Sequence, residues 1–292
     1  MGRYRRGAPA APAAHGRGDG RGQPAHGGPH RRPRRRARGR PADLPRHRPL
    51  DRPPARPDPR RRCPRMPAPL PHPPLIHVEA VSAGFDAGRP VHRGLTLRID
   101  APGLTLLQGP NGSGKSTLVE VLSGHLPQTA GTVTLAGVDA RSPEASRVRR
   151  ICRTEPALYP TMTARDHVVF ASGWCGADPQ EGLRRAERHG LGPWLDESAE
   201  HLSTGNRRKL WTIVCTSGDF DVVVLDEPFN GLDGASTTVL CEELTEWAAR
   251  RAVLVVAHRP PAQLAPDAVL TLPGGADPRA AQDEGIVTSP VR

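Results

Sequence analysis

The chain has 292 residues and a formal net charge of +11, a length that allows one or two ordinary domains. The charge is uneven: residues 1–65 hold 20 Arg, no Lys and 4 Asp (net +16), so residues 66–292 carry −5 and the folded part is not a basic nucleic-acid binder by composition. No run approaches the roughly 18 apolar residues of a membrane-spanning helix, no apolar segment follows Arg5-Arg6 as a secretory signal requires, and Cys63, Cys152, Cys175, Cys215 and Cys241 lack the C-x-x-C spacing of a zinc site.

Residues 1–74 read as an Arg/Pro/Gly/Ala-rich disordered tail. The first 65 contain 13 Pro and almost no Val, Ile or Phe, too little apolar surface to offset the entropy of ordering. Three readings of the tail stay open. The run Arg31–Arg40 could bind nucleic-acid phosphates, or an anionic membrane surface. Alternatively the segment is a mis-assigned gene start, since 39 Arg against two Lys indicates GC-rich coding, with Met66 as the alternative start.

From Leu75 onward the texture is that of a folded domain, expected over 75–273. Leu75–Val81, the alternating Leu95–Ile99 and Leu104–Gln108 predict strands. A helix is expected from Lys115 to about Gly124, then a strand over Gly131–Leu135. Thr163 to Asp166 has the form of a capping box opening a helix through Phe170, and a polar helical stretch continues to about Glu200. Asp221–Leu225 is a continuous apolar run, as in a parallel strand covered on both faces. Leu240, Leu244, Trp247 and Ala248 form one apolar helix face, and Ala252–Ala257 is a second buried strand. Strands alternating with helices predict an α/β fold. Residues 274–292 are expected to be a flexible tail.

Gly109-Pro110-Asn111-Gly112-Ser113-Gly114-Lys115-Ser116 fits the phosphate-binding pattern G-x-x-x-x-G-K-[ST] between a strand and a helix, followed by Thr117. Its glycines let backbone N–H groups approach a phosphate, and the helix N-terminus adds positive potential. Lys115 is expected on the β- and γ-phosphates of ATP, and Ser116 on Mg²⁺. Asp226 and Glu227 end the apolar strand downstream: Asp226 as a Mg²⁺ carboxylate, Glu227 as the group that activates the attacking water.

Leu202-Ser203-Thr204-Gly205-Asn206, followed by Arg207-Arg208-Lys209, resembles the LSGGQ signature of ABC ATPases, and it lies just before the Asp-Glu strand as in that family. Gly231-Leu232-Asp233 resembles the D-loop, His258 the switch histidine, and Phe85 the aromatic residue that stacks on adenine. The resemblance covers about 200 residues with every motif in order. It implies a P-loop NTPase core of RecA type with an antiparallel β subdomain and a helical subdomain near 155–203. It also implies that two such domains pair head to tail. Each ATP would lie between one subunit's P-loop and the other's Ser203 and Gly205.

The sequence departs from the family in two places. The Q-loop glutamine falls at Thr154, which is too short to reach Mg²⁺ as Gln does; Glu155 or a water could take over. The signature has Thr204 for Gly and Asn206 for Gln, and Asn before a basic run is a feature of exporter-type subunits. The resemblance thus implies a Mg²⁺-dependent ATPase, peripheral on the cytoplasmic face of the cell membrane. It would drive a separate transmembrane permease and pair with itself or a second ABC ATPase subunit, with nucleic acid engaged only through the basic tail. The alternative is a soluble ABC ATPase acting on ribosomes or nucleic acid. It is disfavoured by the single cassette and by the short interval between Thr154 and Leu202, which leaves no room for a large insertion.

Overall fold

A computed structural model of the protein describes residues 73–86, 89–273 and 287–290. The tail readings, including Arg31–Arg40 and Met66, lie outside the described residues.

Two sheets organise the domain. β1 (Ile76–Ala83) and β2 (His92–Ile99) pair antiparallel, and β1 also pairs antiparallel with β4 (Ala130–Leu135), which carries the short β5 (Val138–Asp139). The order is β2-β1-β4-β5. The second sheet contains β3 (Gly103–Gln108), β6 (Arg149–Cys152), β7 (Val222–Asp226), β8 (Ala252–Val256), β9 (Ala268–Thr271) and β10 (Val287–Pro290), in the order β10-β9-β3-β8-β7-β6. All its pairings are parallel except β9 with β10.

Every residue of β7 and of β8 is buried. Their period of two divides them between separate cores. Val222, Val224, Leu254 and Val256 point into a cluster with β1, β2, β4 and the helix α1 (Lys115–Leu122), whereas Val223, Leu225, Val253 and Val255 pack on Leu240, Cys241 and Leu244 of α6 (Gly234–Ala248). Continuous apolar runs in these two strands follow from burial on both faces.

A third cluster holds the helical part together. α3 (Ala164–Trp174), α4 (Pro179–Arg188) and α5 (Thr204–Cys215) enclose Ala164, Val168, Ala186, Leu191, Leu195, Leu202, Leu210 and Ile213. Each helix starts on a side-chain cap: Thr163 accepts from the Asp166 N–H, Asp178 from Gln180, and Ser203 from Asn206. Leu210 and Ile213, which lie beyond 203 on α5, complete this cluster.

α4 is tied to α6 by a buried ion cluster. Arg185 makes a two-pronged contact with Glu243, both distances 2.8 Å, and His189 Nε2 lies 3.1 Å from Glu243 Oε2. The Arg185 guanidinium also lies 5.0 Å above the Trp247 ring. The short helix α2 (Ala145–Val148) precedes β6, whose Arg149 donates to the carbonyls of Leu122 and Ser123 at the end of α1. A cation there is favoured by the helix dipole.

Of 274–292, expected to be a flexible tail, residues 287–290 are described. Val287–Pro290 pairs antiparallel with β9. The edge of β9 presents unpaired backbone N–H and C=O groups, which a returning strand satisfies.

Candidate functional site

The parallel pairing puts Leu107 of β3, Val256 of β8 and Asp226 of β7 at one level, since Leu107 faces Val256 and Val256 faces Asp226. Three loops therefore leave side by side from the carboxyl ends of adjacent strands, the place where open α/β sheets bind ligands.

The loop after β3 carries residues 109–114. Gly112 and Gly114 have φ of 81° and 91°, a left-handed backbone that glycine adopts without strain. At Gly114 a side chain is also excluded by space, because a Cβ would stand 2.5 Å from the His92 ring. His92, buried at the start of β2, has its Nε2 3.0 Å from the Gly114 carbonyl and supports the loop from behind. Burial pushes the His92 pKa down, opposed by its bond to Gly114. With the Gly114 oxygen an acceptor only, Nε2 is the donor. Sequence reading missed His92; its signal was a histidine at an inward-facing strand position.

Lys115 Nζ donates to the carbonyls of Gly109 (2.7 Å) and Pro110 (3.0 Å), so its charge lies across the loop. Ser113 Oγ is buried without a hydrogen-bond partner, a polar atom in the cradle that a ligand oxygen would satisfy. Lys115, Ser116 and Thr117 form the first turn of α1.

Asp226, buried at the end of β7, accepts from Thr154 Oγ1 at 2.7 Å. Burial raises its pKa; hydrogen bonds from Thr154 and Ser116 and the charges of Lys115 and Arg208 act against that rise. Ser116 and Asp226 thus converge as an all-oxygen donor pair, which suits a hard cation such as Mg²⁺, with the Thr154 hydroxyl bonded to the Asp226 carboxylate behind them. Glu227 follows with φ 48°, uncommon for a non-glycine residue, its N–H donating to the Val256 carbonyl at 2.8 Å. Its Oε1 accepts from the backbone N–H of His258 at 2.9 Å, and His258 itself is exposed.

A second cluster forms around α5. Ser203 is exposed at its N-cap, and Leu202 is anchored in the helical core. A Cβ at Gly205 would stand 2.8 Å from the Gly231 carbonyl, so the signature and the D-loop of one chain are in close contact. Lys209, buried along α5, donates to Asp233 Oδ2 at 2.8 Å, while Asp233 Oδ1 caps α6 through the Ser236 N–H. The Lys209 bond, with the Ser236 contacts, holds the Asp233 carboxyl far below its ordinary range. The Lys209 ion pair is a further link that the sequence did not disclose.

Phe85, expected against adenine, follows β1 with 74% of its surface exposed, and Val91 and His92 are the neighbours that a Cβ on Gly114 would meet. Among the described residues four other aromatic side chains are exposed on the helical side, Tyr159 (64%), Phe170 (57%), Trp174 (82%) and Trp194 (44%), with Phe170 and Trp174 stacked, centroids 6.5 Å apart. No helix among the described residues is long and apolar enough to cross a membrane.

Comparison with known proteins agrees with this geometry. Residues 92–230 match the family described as ABC transporter. The chain is 32% identical over 205 residues to an ABC transporter ATP-binding protein of Streptomyces avermitilis, covering 66% of this chain and 78% of that one. It is 31% identical over 238 residues to the human phospholipid-transporting ATPase ABCA7, but spans only 11% of that protein's length. A solved ATP-binding subunit of an ABC transporter superposes with a TM-score of 0.61 at 25% identity, covering 69% of this chain and 87% of that one. A bacterial ABC transporter cassette solved as a dimer superposes with a TM-score of 0.60 at 19% identity, covering 69% of this chain and 95% of that one, and shows the shared fold.

Fold and site together define an ATP-binding P-loop domain with the ABC ATPase architecture. The chain belongs to the ABC transporter family, as its nucleotide-binding ATPase domain.

Proposed function

We propose that this protein hydrolyses ATP to power a separate transmembrane permease, from the cytoplasmic face of the membrane. The observation that carries the reading is the convergence of Lys115, Ser116, Asp226 and Glu227 at neighbouring strand ends, through the pairing of β3, β8 and β7. Lys115 and the N–H groups of 109–116 would bind the phosphates. Ser116 and Asp226 would hold Mg²⁺, which supplies charge neutralisation at the transferred phosphoryl group. Glu227 would take the proton of the attacking water, with His258 beside it. Phe85, free at the end of β1, would stack on adenine.

The signature serves a second copy. Ser203 is exposed at a helix N-cap and Gly205 lies on the first turn of α5, so both can face the γ-phosphate of a partner ATPase, whether identical or a second type. Asp233, through Lys209, keeps the D-loop in step with that surface. For the membrane partner, the stacked Phe170 and Trp174 offer an apolar seat on α3. Export fits the Asn206-Arg207-Arg208-Lys209 sequence. In domain terms, 75–273 is the catalytic unit, with the helical part beginning near 155.

The test is Mg²⁺-dependent ATPase activity of the full chain, alone and with a candidate permease. Activity lost in Lys115→Ala and stimulated by the permease is expected. Activity stimulated by RNA or ribosomes instead would replace transport by the alternative reading.

A further inference from the structure

Thr154 stands where the family resemblance places a glutamine, and its role here differs in kind. Its hydroxyl reaches Asp226 Oδ2 directly at 2.7 Å. A hydroxyl bonded to a carboxylate fixes one oxygen and thereby the plane of the group, which determines where the other oxygen points.

The residue before it is held from two sides. Arg153 grips Glu120 of α1 with two hydrogen bonds, 2.6 and 3.0 Å, and also donates to Ser123 Oγ at 3.0 Å. This contact holds the Glu120 carboxyl below its ordinary range. On the other side the Arg153 carbonyl accepts from Trp211 Nε1 at 2.9 Å and from Arg208 at 3.3 Å, both on α5. The backbone entering Thr154 is therefore fixed to the P-loop helix and to the signature helix at once. A threonine hydroxyl has one short reach, so its aim depends on that anchoring.

We propose that Thr154 is a positioning residue for the divalent-cation site: its hydroxyl, placed by the anchors on Arg153, holds the Asp226 carboxylate in its cation-binding orientation beside Ser116. This rests on the reading of 109–116 and Asp226 as a Mg²⁺–ATP site. Thr154 in this scheme acts through Asp226, whereas a longer side chain would reach the cation itself.

The experiment uses the full chain and a fluorescent ATP analogue. It measures the Mg²⁺ concentration that gives half of the Mg²⁺-dependent gain in analogue binding, together with binding in EDTA and the melting temperature. Thr154→Val keeps the shape and removes the hydroxyl; it is expected to raise the half-saturating Mg²⁺ about tenfold, the usual scale for losing an outer-shell partner of a metal ligand. Binding in EDTA and melting should match the parent. Thr154→Ser, which keeps the hydroxyl, should stay within about threefold of the parent, because the donor remains.

Three results would overturn the inference. A half-saturating Mg²⁺ unchanged in Thr154→Val, with the Mg²⁺-dependent gain lost in Lys115→Ala, removes Thr154 from the cation site and leaves the site reading intact. A Val variant that melts early or binds poorly even in EDTA shows a structural role only. A parent whose analogue binding never responds to Mg²⁺ overturns the site reading and the inference together.

Discussion

Glu227 Oε1 accepts the backbone N–H of His258 at 2.9 Å, so the carboxylate just past β7 is fixed by a residue two positions past β8. An amide oxygen accepts such a bond as well as a carboxylate oxygen does, so Glu227→Gln should keep the local geometry. It should bind ATP like the parent and release phosphate at least about 100-fold more slowly, since the water loses its base. With hydrolysis stopped, size-exclusion chromatography in ATP should show a dimer that Ser203→Arg abolishes. Undiminished phosphate release would remove Glu227 from catalysis.

Gly205→Ala tests the contact between signature and D-loop. In an open helix this change stabilises by about 1 kcal/mol. Here the new methyl would stand 2.8 Å from the Gly231 carbonyl, a backbone atom that cannot rotate away. The expected sign is therefore reversed, a loss of about 1–3 kcal/mol from overpacking. Urea unfolding measures it; a gain in stability would show that the loop carrying Gly231 yields freely.

The Lys209–Asp233 pair should respond asymmetrically. Lys209→Met leaves a carboxylate whose side chain is 58% exposed and re-solvates, at a cost of about 1 kcal/mol. Asp233→Ala removes the α6 cap and strands a cation whose side chain is 8% exposed, at a cost of about 3 kcal/mol or more. Thermal unfolding of both variants decides; equal losses would mean that the lysine finds another partner.

Glu243 gives the domain an acid limit. Burial alone would raise its pKa, but the bond from His189 and the contacts of Arg185 outweigh that and set it at about 2, against an ordinary 4.5. A carboxylate with a lowered folded pKa contributes stability above its unfolded pKa and loses it as the pH falls through the folded one. The window is therefore pH 4.5 down to 2, and the contribution is about 3 kcal/mol. Glu243→Gln should cost about 3–5 kcal/mol at pH 7, leaving Arg185 uncompensated. Its stability should also fall less steeply than the parent's between pH 4.5 and 2, measured by urea unfolding across pH. A parallel fall in both would place the acid sensitivity elsewhere.

The elements most legible in the sequence were those with an unambiguous period or a cap. β7 and β8 stood out as apolar runs because both their faces are covered, and α3 announced itself through Thr163. Arg149–Cys152 did not, since Arg149 and Arg150 interrupt the apolar run; both point their guanidinium groups at carbonyls, Arg149 at the end of α1 and Arg150 at Ser217. α5 was hidden because Asn206, Arg208 and Lys209 are polar yet buried, the last two paired with Arg153 and Asp233, far apart in the chain. In the site, the P-loop and the Asp226-Glu227 strand end were readable as spacing. The Thr154–Asp226 bond spans 72 positions, and no local pattern carries it.

The Arg153 carbonyl has a consequence for how this chain can drift. Trp211 and Arg208 both end on an acceptor that belongs to the main chain, and every residue type brings the same oxygen. Substitution at 153 can discard the grip on Glu120 while the tether to α5 survives. Losing the tether takes changes on the donor side, in two residues of one helix. The entry to Thr154 is thus buffered against single-letter errors on the α5 side, where two donors share one acceptor, and exposed to them on the α1 side, where the grip depends on the side chain at 153.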